Sequence, residues 1–210
     1  MEVQVKKRKV RSDKKKDVKP TIPEELYECI ARLSYITQTP IKDVAETICI
    51  QGVQSKKVVE YLSNGFKRDF WMGQTLFKGD RDIEPSRIIR VKGNKRRITI
   101  RFKRDVHDQL CDLAYAMDLT VSSATGKLLD AAVRNTDIVH EYIEQYINET
   151  FDHQRQKQLK VVLDYINKHN PYDEEVSLMH LINMIAEDFF SSKTNNIKKS
   201  INEFLDRFIK

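Results

Sequence analysis

In residues 95–102, the last six side chains alternate strictly between polar and apolar. The apolar positions are Ile98, Ile100 and Phe102, and the polar ones are Arg97, Thr99 and Arg101. Successive side chains of a strand point to opposite faces, so this period of two predicts a strand. One of its faces is apolar, and the other carries two guanidinium groups and a hydroxyl.

The period changes to a helical one directly after this strand. One apolar stripe runs through Val106, Leu110, Leu113 and Met117, and a second through Ala124, Leu128, Ala131 and Ala132. One strand and two helices are too few to enclose a core, since domains below roughly 40 residues usually need a partner or staple. A strand that exposes arginines and pairs with a second strand makes a two-stranded ribbon, which fits the major groove of DNA.

Residues 97–133 resemble the ribbon-helix-helix family of bacterial DNA-binding proteins, the Arc-like repressors, over the whole family core. The resemblance implies that two copies pair their strands and that outward strand residues read base edges. These residues are Arg97, Thr99 and Arg101. It also implies that the start of the second helix binds a phosphate, here through Thr120, Val121 and Ser122. The alternative is an ordinary amphipathic strand before a helix pair.

A second copy of the pattern lies upstream, at a shift of 80 residues. The shift superimposes residues 18–22 on 98–102, and the apolar helical positions then coincide without a gap as far as residue 59. Few of the paired residues are identical, but their apolar class agrees, which indicates an internal duplication. The two copies can pair with each other in one chain, or copy two can pair with copy two across a homodimer.

Copy one differs from copy two in its strand. Pro20 occupies the position of Ile100. Proline has no N–H to donate to a partner strand, so we expect its nitrogen to face the outer edge of the ribbon. We predict that Lys19 and Thr21 contact bases. Asp17 would lie near phosphates and is not predicted to contact DNA, unless it accepts from a cytosine amino group. The phosphate-binding helix start corresponds to Pro40, Ile41 and Lys42.

Basic charge is concentrated near both strands. The chain has a formal charge of +6, and residues 1–20 alone hold nine Lys/Arg against three acids. Residues 87–104 hold nine more Lys/Arg and no acid. We expect residues 1–16 to be a disordered basic arm that follows DNA phosphates, although a merely solvated tail is the alternative. The predicted phosphate contacts outside the helix starts are Lys14, Lys15, Lys16, Lys95 and Arg96.

Other chemistry has little support. Cys29, Cys49 and Cys111 are an odd, scattered set on apolar helix faces, typical of reduced thiols in a cytosolic protein. His107 lies four residues before Cys111, but two ligands make a poor metal site. The sequence has no phosphate-binding loop and no nucleophile motif, so we expect no enzyme, cofactor, metal or small-molecule ligand. It also lacks an apolar run long enough for a membrane helix.

Two further regions complete the chain. Residues 54–96 join the copies, and their aromatic residues indicate a packed connector with Trp71 in the core. The Gly93-Asn94 turn signal allows a short hairpin from Arg87–Val91. Residues 136–210 carry repeated helical apolar stripes, which predict a helical bundle. The stripes also suit self-association or a protein partner.

We therefore predict a mainly α protein with a short two-stranded antiparallel β-ribbon. Its parts are the arm (1–16), two ribbon-helix-helix copies (17–53 and 97–135), the connector (54–96) and a C-terminal helical domain (136–210). We expect sequence-specific binding of double-stranded DNA by a bacterial, phage or plasmid transcriptional repressor. The expected location is cytoplasmic, at the nucleoid or a plasmid, with homo-oligomers formed through the C-terminal helices. The alternatives are an accessory DNA-binding protein of plasmid partition or conjugation (the relaxosome), and an antitoxin-like adaptor for a protein partner.

Overall fold

The computed structural model describes residues 14–83, 93–146, 153–168 and 170–172. Over these residues the chain is mainly helical with short two-stranded antiparallel sheets, which confirms the predicted fold class at that level. The elements are, in chain order, β1 (Lys16–Val18), β2 (Thr21–Pro23), α1 (Glu24–Thr37), α2 (Ile41–Gln54), α3 (Lys56–Ser63), β3 (Phe70–Met72), β4 (Thr75–Phe77), β5 (Lys95–Arg97), β6 (Ile100–Phe102), α4 (Arg104–Met117), α5 (Val121–Arg134), α6 (Thr136–Tyr146) and α7 (His153–Asn167).

The four strands β1, β2, β5 and β6 form one antiparallel ribbon within the chain. Strand β1 pairs with β6, which places Asp17 opposite Arg101. Strand β2 pairs with β5 in the same continuous register, which places Thr21 opposite Arg97. The ribbon therefore runs from residues 16–23 on one side to residues 95–102 on the other, and its second strand begins two residues earlier than the boundary predicted at Arg97.

Pro20 departs from its predicted orientation. Its carbonyl accepts a hydrogen bond of 3.1 Å from the backbone N–H of Ile98, across the ribbon. The N–H and C=O groups of one residue in an antiparallel ladder point to the same side. The missing N–H of Pro20 therefore faces the partner strand and not the outer edge, so the ladder lacks one bond here. The break between β1 and β2 falls at this point.

The two strand-helix-helix segments have matching backbones. Helices α1 and α4 begin and end 80 residues apart, and so do α2 and α5. The left-handed residues that end α1 and α4 are Gln38 (φ 55°) and Asp118 (φ 56°), again 80 apart. Continuing the ribbon register places Lys19 opposite Thr99, its equivalent under the same shift. An approximate twofold axis thus passes through the middle of the ribbon.

Helices α2 and α5 pack against each other beneath the ribbon. A Cβ at Gly52 would lie 2.7 Å from the Cβ of Ala132, its equivalent in the second segment, so the glycine permits this close approach. The inner face of the ribbon closes the same core, and its buried residues are Val18, Pro20, Ile22, Ile98, Ile100 and Phe102.

The connector contains helix α3 and the hairpin β3–β4, which turns at Gly73 with φ 58°. Phe66 and Phe70 are buried with their rings in edge-to-face contact, 5.5 Å between centroids. Trp71 is 64% exposed, so the prediction of a core tryptophan is wrong. Alternation along β3 turns Phe70 inward and therefore Trp71 outward. The predicted hairpin at 87–91 lies outside the described residues.

Helices α6 and α7 pack mainly on the first segment and also contact α5 of the second. The Tyr142 hydroxyl of α6 lies 2.5 Å from Thr39 Oγ1 and 3.2 Å from Thr37 Oγ1, at the turn between α1 and α2. Helix α7 lies along α1, with Arg32 donating to the Gln158 amide oxygen. Buried residues of both helices belong to the same core as the ribbon. The predicted apolar stripes after residue 172 lie outside the described residues, and association through the C-terminal helices stays a prediction.

Candidate nucleic-acid interface

The outward face of the ribbon, which we call the reading face, brings together all five residues predicted to contact bases. Alternate residues of both strands are exposed, whereas the residues between them are buried. We define the reading face by the six central outward positions, Asp17, Lys19, Thr21, Arg97, Thr99 and Arg101. The period-two pattern therefore predicted correctly which side chains share this surface.

The dimensions and charge of the reading face suit nucleic acid. It carries three cations and one anion. Paired strands lie about 4.8 Å apart, and the major groove of B-DNA is about 12 Å wide, which admits a two-stranded ribbon. Every base pair presents a distinct set of donors and acceptors in that groove, and arginine, lysine and threonine can all read it.

The two ends of the reading face differ. At one end, Arg101 Nε lies 3.2 Å from Asp17 Oδ1, directly across the strands. At the other end, Arg97 faces the uncharged Thr21 and forms no ion pair with a described residue. The cross-strand ion pair was not predicted, because it depends on the pairing register. No local pattern in the sequence relates Asp17 to Arg101.

Three predicted phosphate contacts already have acidic neighbours. Lys15 Nζ lies 2.5 Å from Glu46 Oε1, and Lys16 Nζ lies 3.8 Å from Asp108 Oδ1. Arg96 donates to Glu24 Oε1 at 3.0 Å and lies over the ring of Tyr27. Carboxylates of the protein therefore already neutralise part of the positive charge at these three residues.

Lys14 and Lys95 differ from those three residues. Both are exposed, and neither forms an ion pair with a described residue. The remainder of the predicted arm, residues 1–13, lies outside the described residues.

The start of α5 lies next to the ribbon. A Cβ at Gly126, on the second turn of the helix, would lie 3.7 Å from the Pro20 Cβ, so α5 is seated directly beneath the first strand. Thr120 caps the helix, accepting from the Ser123 N–H at 3.2 Å. The first N–H groups of a helix have no acceptor within it, so those of Val121 and Ser122 can donate to an anion.

The start of α2 is built differently. Pro40 is its N-cap and makes no side-chain cap, while its carbonyl accepts from the N–H groups of Asp43 and Val44 at 2.8 and 3.1 Å. The Lys42 side chain is exposed beside the half-buried Ile41. This start therefore offers a lysine where α5 offers two hydroxyl-bearing residues, and the acidic Asp43 lies next to it.

An open polar cleft of about 590 Å³ lies beside the C-terminus of α4, lined by Lys67, Arg68, Asp69, Gly79, Arg81 and Tyr115. Arg68 donates to the Tyr115 carbonyl at 2.7 Å and to Asp118 Oδ1 at 2.8 Å. Its guanidinium also lies 4.5 Å above the centre of the Tyr115 ring. A basic side chain that binds the last carbonyls of a helix stabilises its end, so Arg68 joins the chain just before β3 to the end of α4.

The cysteines are all free, and two of them are deeply buried. Burial raises the pKa of the Cys29 thiol to about 12 and that of Cys49 further still. Cys111 is half-buried, with its sulfur 3.5 Å from His107 Nδ1. In the described ranges, no three His, Cys, Asp or Glu side chains converge on a point that would suit a metal ion.

None of the described helices combines the length and the apolar character needed to cross a membrane. Comparison of the chain with family models, with curated proteins and with solved structures finds no match.

Proposed function

We propose that this protein binds double-stranded DNA at specific sequences by inserting its ribbon into the major groove. The observation that carries the proposal is the reading face, where two strands of one chain present Lys19, Arg97 and Arg101 on one exposed surface. The buried inner face of those strands packs against α2 and α5. In this proposal, the two strand-helix-helix segments act together as a tandem ribbon-helix-helix module.

Each group has a distinct role in this proposal. Arg97 and Arg101 bond guanine O6 and N7, the commonest specific contact of arginine in the major groove. Lys19 and Thr99, opposite each other at the centre, contact neighbouring base edges. The helix starts at residues 40–42 and 120–122 bind phosphates on either side and set the position of the ribbon.

One chain would read an asymmetric site. A ribbon made from two identical strands reads a palindrome, whereas this ribbon combines two different strands. The regulatory role that fits best is that of a transcriptional repressor, which acts at the nucleoid or on a plasmid. This role depends on the resemblance of residues 97–133 to the Arc-like repressors.

Selection from a random pool of duplex DNA tests the proposal. We expect the purified protein to enrich one short, non-palindromic element, bound by one chain. Methylation of guanine N7 within the element should weaken binding, because that atom lies in the major groove. Lys160→Ala, which removes an exposed cation on α7, is the matched control and should select the same element. A pool that stays random after selection would contradict the proposal.

A further inference from the structure

Asp17 is the anion of the reading face, and its position is unexpected for a protein that binds DNA. Its carboxylate contacts Arg101 Nε at 3.2 Å, while both side chains stay well exposed, at 43% and 64%. A carboxylate near phosphates weakens binding to every sequence alike. A carboxylate at this position is therefore useful only if it increases the discrimination between DNA sequences.

The contact leaves the rest of the guanidinium free. Arginine has five N–H donors in a planar fork, and the Asp17 carboxylate lies beside Nε as an ion-pair partner. The two terminal Nη groups remain available for the paired acceptors O6 and N7 of guanine. A free arginine loses rotamer freedom when it binds, and a side chain already held by a neighbour loses less.

We propose that Asp17 is a positioning residue that determines specificity: it holds the Arg101 guanidinium across the ribbon so that this end of the site accepts guanine alone. This inference rests on the proposed function. The opposite end provides the internal contrast, because Arg97 faces Thr21 and has no carboxylate opposite it. Arg97 therefore keeps its rotamer freedom and tolerates more bases.

The carboxylate also acts against wrong sequences. At a site without guanine, Asp17 still lies close to the DNA and repels its phosphates. No arginine–guanine contact offsets this repulsion there, so binding to wrong sequences is weakened most. We therefore expect removal of Asp17 to raise the affinity for random DNA and to reduce the preference for guanine at one position.

The test is selection from a random duplex pool, with competition against random-sequence DNA, for the full chain and its variants. Asp17→Ala should reduce the preference for guanine at a single position by about fivefold, near the lower end of one arginine–guanine contact. Asp17→Asn keeps a polar side chain of the same size without the charge and should fall in between. Glu60→Gln removes an exposed acid on α3 and is the matched charge control, expected to leave every base preference unchanged.

A second background separates positioning from direct contact. In the Arg101→Ala variant, the further change Asp17→Ala should leave the selected bases unchanged, because the residue that it positions is absent. A remaining effect of Asp17 in that background would overturn the inference and indicate that the carboxylate reads a cytosine itself. Selection that is unchanged in Asp17→Ala alone would overturn it too.

The outcome for the native protein keeps the two proposals apart. If it enriches an element and Asp17→Ala enriches the same one with equal stringency, the inference fails and the proposed function stands. If the native protein enriches nothing, the proposed function fails and the inference fails with it. Thermal unfolding of each variant should match that of the native protein, since the ion pair is exposed and contributes little stability.

Discussion

The two strand-helix-helix segments, residues 16–54 and 95–134, have nearly the same backbone and very different surfaces. Their helices agree in length residue for residue, yet the reading face has Asp17, Lys19 and Thr21 on one strand and two arginines on the other. The backbone follows the apolar positions, which match in class. Exposed side chains are free of that constraint, so the two segments differ in the residues that face away from the core.

The largest effect should come from the core that the segments share. Phe102 and Ile22 are equivalents, both buried against the helices. Replacing a buried Phe by Ala costs roughly 3–5 kcal/mol of unfolding free energy, and Ile to Ala roughly 2–5. We expect Phe102→Ala to lose more than Ile22→Ala. Both should unfold in one urea transition, and two transitions in either variant would show that the segments have separate cores.

The crossing of α2 and α5 tests the approximate symmetry directly. Gly52→Ala places a methyl 2.7 Å from the Ala132 Cβ, so we expect a net loss of stability. Overpacking costs roughly 1–3 kcal/mol, and the better helix propensity of alanine returns up to about 1 kcal/mol. The double variant Gly52→Ala, Ala132→Gly exchanges the small residue between the segments and should recover most of the loss in urea unfolding. A double variant no more stable than the single one would contradict the close approach at this axis.

The two strands should contribute unequally to DNA recognition. Arg97→Ala should lower the affinity for the selected element by roughly 1–3 kcal/mol, with relaxed base preference at one position. Thr21→Ala, the change directly across the ribbon, should have a smaller effect, since a hydroxyl makes one bond where a guanidinium makes two. Titrations with the element and with single-base variants measure both. Equal losses would mean that the arginine does not engage a base.

The smallest effect concerns the helix starts. Thr120 accepts from the N–H of Ser123, whereas Pro40, its equivalent, makes no side-chain cap. Thr120→Ala should therefore cost about 1 kcal/mol of stability, the usual value of an N-cap. Pro40→Ala should lose no cap bond and change stability less. Chemical denaturation measures the loss of unfolding free energy in both variants, and equal losses would contradict the difference in capping.

The local pattern predicted much of this fold. The period of two placed Arg97, Thr99 and Arg101 together on one face, and the 80-residue shift predicted that the apolar helical positions of the two segments correspond. Two predictions from the sequence are wrong, namely the burial of Trp71 and the orientation of the Pro20 nitrogen. Aromatic density suggested a core tryptophan, but which face of β3 is buried depends on the packing against α4. The direction of the missing N–H depends on the pairing register.

The ion pairs of the interface lie beyond any local pattern. Lys15 and Glu46 are 31 residues apart, and Arg96 and Glu24 are 72 apart. Helical and strand periods relate residues only within one element. Contacts between elements require the register and the packing of the whole chain.

The amino-acid sequence by itself determined which side chains face outward on the ribbon, because alternation is a property of the extended backbone. It also determined that each segment contains two amphipathic helices, since apolar spacing acts over a few residues. Only the tertiary structure decided that the two strands pair within one chain and that Asp17 faces Arg101. Pairing brings together residues that are far apart along the chain, and the shared burial of both segments selects one register among those that local preference allows.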